Sequence, residues 1–284
     1  MKMKLGLSVN QPVENVFASG LFDCIEYSIG ADFDKEGAFE RWEEKTVKIK
    51  ELCRKYNVKM HSYHIPFNGE RLNDDCSNFC FMHAPASLDK EIRDRTMAYT
   101  KRQIEFLADT GVRFVILHGS LRIPPEERSI RVDLFVEYVR ELCDFCKPYG
   151  ITVAVETLLE SCVGGGGEIP ENRIAESRYI MEQVCRDNLG ICLDNNHFIK
   201  SSHLDFVKEL GQYVVTTHFS DYDGVKERHA IPGNGITDWK KLTSLLLEKG
   251  YCGPWLFEIK FERPGFPTDD ELQRLVGTWK QLVE

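Results

Sequence analysis

No apolar stretch of this 284-residue sequence approaches the roughly 18 residues that a bilayer-spanning helix needs. The opening segment MKMKLGLSVNQP is too short in its apolar part for a secretory signal. Positive charge is scarce as well. Thirty-six Lys and Arg face 45 Asp and Glu, a formal charge of −9, so the basic surface that a polyanion binder carries is not expected. The first apolar run, Leu5-Gly6-Leu7-Ser8, lacks the glycine-rich turn that a dinucleotide-binding sheet places after its first strand. Gly164–Gly167 lacks the Lys-Ser/Thr that would complete a P-loop, and reads as a loop over a pocket.

Cysteine is not scarce, but its ten copies are scattered through apolar segments. Reduced, mostly buried thiols in a cytoplasmic protein are therefore expected rather than a disulfide framework. Cys143 and Cys146 form a C-x-x-C inside a helical pattern, the wrong context for a redox or zinc motif.

What the chain has in quantity is short apolar, β-branched runs. They fall at 4–10, 24–29, 58–65, 113–120, 152–159, 189–196, 214–221 and 255–260. Helical periodicity fills most of the gaps: Trp42, Ile49, Leu52, Cys53 and Tyr56 share one face, and Met97, Ile104, Leu107 and Ala108 another. The second pattern stops at Gly111, a good C-cap, and the last opens on Asp269 and Asp270, as a helix dipole prefers. The helix near 13–21 is the weakest of the series. Eight strand candidates alternating with helices is the count of a closed parallel barrel. The expected architecture is α/β, a single (β/α)8 TIM barrel spanning 1–284 as one domain. Runs apolar on both faces, such as FVIL and TVAV, suit strands wrapped by helices. The long connection 66–90 is expected to help cover a pocket.

The polar residues that interrupt these runs are nearly all His, Asp or Glu near the C-terminal end of a strand. His61 and His64 lie on the third, His118 on the fourth, Glu156 on the fifth and Asp194 with His197 on the sixth. His218 with Asp221 follows on the seventh and Glu258 on the eighth. Each has an ordinary explanation: a packed His, a helix-capping Asp, a solvated Glu. Together they predict one shared site, because strand ends of a barrel converge on one face. Clustered carboxylates and imidazoles call for a divalent cation, and a mixed oxygen–nitrogen set suits Mn, Mg, Co or Zn. Trp239 and Trp255 are candidates either for a sugar face or for strand–helix packing.

Glu156, Asp194-x-x-His197, His218 and Glu258 on successive strands resemble the xylose-isomerase-like TIM-barrel superfamily. So does Arg228-His229-x-x-Pro232-Gly233-x-Gly235 running to Asp238-Trp239. The superfamily includes ketose 3-epimerases, hydroxypyruvate isomerase, inosose dehydratase and endonuclease IV. In its epimerase branch the resemblance implies one divalent metal on Glu156, Asp194, His218 and Glu258, with Glu156 and Glu258 as the proton-transferring pair. His197 and Arg228 or His229 would contact a sugar or polyol substrate, with His64 and His118 lining the pocket. The implied activity is a metal-dependent sugar or sugar-acid isomerase or epimerase, and an assembly of several copies stays open. Three alternatives remain at this point: an inosose-dehydratase-like lyase, a sugar-binding barrel without turnover, and an endonuclease-IV-like enzyme with several zinc ions. For the last, Glu227-Arg228-His229 resembles the nuclease's D-R-H with Glu for Asp, but Asp-Asn-Asn-His replaces its Asp-Thr-Cys-His. The acidic balance opposes DNA further.

Overall fold

The computed structural model describes residues 4–28, 38–65, 85–118, 125–157, 170–199 and 201–283. Eight parallel strands alternate with helices: β1 (Leu5–Val9), β2 (Cys24–Ser28), β3 (Lys59–His64), β4 (Phe114–His118), β5 (Thr152–Glu156), β6 (Leu189–Asp194), β7 (Val214–His218) and β8 (Trp255–Phe257). The helices between and after them are α1 (Glu14–Ala18), α2 (Ala38–Tyr56), α3 (Lys90–Leu107), α4 (Arg128–Cys146), α5 (Pro170–Val184), α6 (His203–Leu210), α7 (Trp239–Glu248) and α8 (Asp269–Val283). All eight strands lie inside the runs read from the sequence. The predicted helix end at Gly111 is there too, in a left-handed turn with φ of 74°.

Sheet order follows the chain from β1 to β7, with β8 returning beside β1. The last seam, β7 to β8, is not a full ladder. The Phe219 N–H donates to the Leu256 carbonyl at 2.8 Å, and the Leu256 N–H donates to the Thr217 hydroxyl at 3.1 Å. A threonine side chain thus completes the closure that makes this a (β/α)8 TIM barrel. Outside the seam, Phe219 packs on Trp255 and Trp239 with ring centroids 5.3 and 5.2 Å apart, and Trp279 joins them. Of the two readings of Trp239 and Trp255, packing is the one that holds. Cys143 and Cys146 are buried in α4, with the Cys143 thiol donating to the Asn188 carbonyl, so the C-x-x-C serves packing.

Register sets up the chemistry. The ladders pair His118 with Glu156 and Asp194 with His218, so acids and imidazoles of neighbouring strands emerge at the same level. Among the described residues no helix is long and apolar enough to cross a membrane. The Gly164–Gly167 run, and the 66–84 part of the long connection after β3, fall outside the described residues.

Candidate metal centre

Glu26, on β2, is a fully buried charge. Its carboxylate accepts from Ser8 Oγ at 3.1 Å and Ser62 Oγ at 2.7 Å. It also lies 3.0 Å from Nε2 of His218. An ionised carboxylate only accepts, so this contact fixes a proton on Nε2 and aims Nδ1 the other way. Nδ1 lies 3.2 Å from Glu156 Oε1 and 3.4 Å from Glu258 Oε2. A carboxylate orienting a histidine in this way is the common support of a metal-ligating imidazole.

Glu156 is the hub. Its Oε2 lies 2.9 Å from Nε2 of both His64 and His118. The other nitrogen of His64 must donate, since its partner at 3.0 Å is the Ile65 carbonyl. Burial alone would push the Glu156 carboxyl up, but the imidazoles of His118 and His218 hold it well below the usual carboxylate range. Burial pulls His218 down, yet the surrounding Cys192, Glu26, Glu156 and Glu258 raise it well above an ordinary imidazole. The arrangement demands positive charge at its centre.

At the end of β6 the chain turns through a short 3-10 helix, Asn195–His197. Asp194 Oδ1 accepts the Asn196 N–H at 2.7 Å, which is the capping role open to any Asp at a strand end. Its Oδ2 is buried, has no hydrogen-bond partner and lies 3.5 Å from His197 Nε2. Each oxygen thus takes a different part, and burial pushes the carboxyl up to about 6. His197 Nδ1 donates to the Thr157 carbonyl at 2.6 Å, which leaves Nε2 facing Asp194 and Glu227. Thr157 also grips Asp194 through its hydroxyl.

Asn195 and Asn196 tie this turn to the loop after β7. Asn195 donates to the Ser220 carbonyl and accepts the Ser220 N–H. Asn196 donates to Ser220 Oγ and accepts the Arg228 N–H. Asp221 is not at the centre: its carboxylate takes N–H groups of Gly233, Thr237 and Trp239 and so folds the loop. The loop presents Glu227 and His229, 2.6 Å apart, with His229 lifted to about 10: burial opposes the shift, and the Glu227 hydrogen bond outweighs it. Arg228 points elsewhere, its half-exposed guanidinium 2.7 Å from Asp223. His61 packs against Phe114, with ring centroids 4.8 Å apart.

Among the described residues, three groups each bring their donor atoms within 4.8 Å of one another: His64, His118 and Glu156; Glu156, Asp194, His218 and Glu258; and Asp194, His197 and His229. The middle group is the set that the family resemblance implies. The unpartnered Asp194 Oδ2 and His218 Nδ1, both buried, are what a cation would satisfy, so the residues fit a divalent ion. Glu26 escaped the sequence reading although its signal was there: an acid inside the apolar run CIEYSI. Thr157, Ser8 and Ser62 gave no comparable signal.

The family model for the xylose isomerase-like TIM barrel matches residues 13–281. An inosose isomerase of Halalkalibacterium halodurans is 31% identical over 145 residues, 47% of this chain and 49% of that protein. The match thus spans only about half the length of that relative. A probable endonuclease 4 of Ureaplasma parvum is 22% identical over 94% of this chain and 89% of its own. In fold, a D-psicose 3-epimerase of Clostridium cellulolyticum solved with D-tagatose superposes with a TM-score of 0.72 at 15% identity, covering 99% of this chain and 100% of its own. The chain belongs to the xylose isomerase-like TIM-barrel family.

Proposed function

We propose that this protein is a divalent-metal-dependent isomerase or epimerase of a sugar, sugar acid or polyol-derived ketone. The observation that carries the reading is the four-membered group Glu156, Asp194, His218 and Glu258, converging from four consecutive strand ends. These residues would hold one ion of Mn, Mg, Co or Zn, whose Lewis acidity polarises a carbonyl oxygen and acidifies the adjacent C–H. Glu258, one-third exposed and with no tight ion pair, is placed to take a proton from that carbon. Glu156 is held by the imidazoles of His64, His118 and His218 and keeps the centre charged; His64 and His118 are placed to pass its proton. His197 and His229, facing each other with ring centroids 5.8 Å apart, are placed to hold substrate oxygens. Arg228 contributes its backbone to the loop fold rather than its charge to the pocket.

A second reading rests on one specific observation: the four-membered donor group shares Glu156 with one neighbouring group and Asp194 with the other, the layout of a centre with more than one metal. With full-length similarity to a probable endonuclease 4, this favours phosphodiester cleavage as the competing activity. The charge of −9 opposes a DNA substrate.

The test is metal analysis of protein purified without added metal, followed by NMR of a ketose and inosose panel in D2O. About one ion per chain with deuterium entering at the carbon beside the carbonyl supports the isomerase reading. Loss of water from the substrate instead makes the protein a lyase. Three zinc ions with nicking of an abasic oligonucleotide overturn the proposal, and sugar binding without exchange or turnover makes it a binding barrel.

A further inference from the structure

The turn that carries His197 ends abruptly. Phe198 leaves helical geometry, with φ of −107° and ψ of 53°, so the His197 carbonyl is not carried on into a longer helix. Terminal helical carbonyls of this kind need a donor from elsewhere. Arg173, near the start of α5, supplies it: its Nη1 donates to the His197 carbonyl at 2.9 Å. The same guanidinium lies over the Phe198 ring, 4.5 Å from the centroid. A planar fork does both at once, donating along its edge while its face rests on an aromatic ring.

Phe198 is itself fixed. It is buried, meets Phe206 edge-on with ring centroids 5.3 Å apart, and its carbonyl accepts the Tyr222 hydroxyl at 3.3 Å. The His197 ring is held separately, by donation from Nδ1 to the Thr157 carbonyl at 2.6 Å. With Nδ1 spent in this way, Nε2 is the atom left to meet a substrate. Its direction follows the peptide that joins His197 to Phe198, and Arg173 grips that peptide with a charged donor, which holds more strongly than a neutral one. Arg128 anchors the same helix differently: from the start of α4 it pairs with Glu176 of α5 at 2.6 Å. Losing that pair would loosen α5 without removing the donor to His197.

We propose that Arg173 is a positioning residue: it fixes the peptide between His197 and Phe198 and so aims His197 Nε2 at the substrate. The inference rests on the reading of His197 as a substrate contact in the isomerase site, and it adds a cation outside the donor set that governs substrate affinity.

Two measurements test it, one of them independent of activity. In protein with isotope-labelled histidine, NMR identifies the ring N–H that His197 gives to Thr157 by its loss in His197→Gln. Its exchange with water is expected to speed up about tenfold or more in Arg173→Ala, and to recover in Arg173→Lys, which keeps a charged donor. Arg128→Ala is expected to lower the melting temperature and leave that exchange as it was. With metal loaded and a ketose that the native protein converts, Arg173→Ala is expected to raise KM about tenfold while kcat and metal content hold, the sign of lost substrate binding. Exchange unchanged within about twofold, a ring N–H missing from the native protein, no recovery in Arg173→Lys, or equal effects of Arg173→Ala and Arg128→Ala overturns the assignment. So does a fall in kcat or in metal content at unchanged KM. Should Arg173→Ala not fold, Arg173→Met, which keeps an apolar stem over Phe198 and lacks the donor, takes its place in both measurements. If no ketose is turned over, the isomerase reading fails by itself, and the exchange measurement decides whether Arg173 sets the His197 ring.

Discussion

Glu26 and Glu156 differ from Glu227 and Glu258 in one respect that separates their work. The first pair is buried to within 1% and held by serines and imidazoles. The second pair stands at the mouth with side chains 34% and 31% exposed. A carboxylate locked by several short hydrogen bonds has its charge fixed and its geometry set, which suits holding an ion. One with an open side can exchange a proton with a substrate. Depth in the barrel thus separates carboxylates that only fix charge from Glu258, which in the proposed site both helps to hold the ion and has an open side for proton transfer.

That division is strongest at Glu156. Glu156→Gln is expected to remove metal binding and to cost about 3–5 kcal/mol of stability, because buried imidazoles would lose their counter-charge. Urea unfolding and metal analysis check this, and a variant as stable as the native protein would erase the distinction. Glu258→Gln is expected to keep the fold, with a melting temperature close to native, while turnover falls about 10²–10⁴-fold. Steady-state kinetics beside a melting curve tests it; wild-type turnover would remove Glu258 from the mechanism. For Glu26→Gln the expected loss is metal affinity, about 10–100-fold, since the amide can no longer fix the His218 tautomer as a carboxylate does. Competition with a chromophoric chelator measures it, and unchanged affinity would reduce Glu26 to a packing residue.

The smallest effect tests burial without a partner. His203 is buried with neither ring nitrogen bonded, and burial pulls it down to about 4 from an ordinary 6.5. Its folded pKa lies below its unfolded one, so its contribution is present above pH 6.5 and lost as the pH falls toward 4. His203→Gln should reduce the stability lost between pH 7 and 5 by about 1–2 kcal/mol. Parallel denaturation curves at the two pH values decide it; identical losses would place the acid sensitivity elsewhere.

The barrel was legible because strand and helix periods differ and recur. The donor set was legible because His, Asp and Glu have no cheap reason to end apolar runs. Glu26 carried the same signal but sat mid-strand, where an isolated acid is easily taken for a solvated one. Arg228 is a different case: the motif places it beside His229 as a substrate contact, while in this structure the loop turns its side chain to Asp223. By sequence Asp221 groups with the polar residues of the shared site, yet it is a loop pin, because direction within a turn depends on backbone contacts from residues far along the chain.

Asn195 and Asn196 have a consequence for how such barrels are recombined. They join the turn after β6 to the loop after β7 through both amides, so the two loops are one part rather than two. Anyone exchanging the β7 loop for that of another barrel must carry the asparagine pair with it. Without them, the graft arrives with Ser220 and the Arg228 N–H seeking partners that the host does not offer. The unit of inheritance here is a pair of neighbouring loops, and its seam lies between strands rather than at their ends.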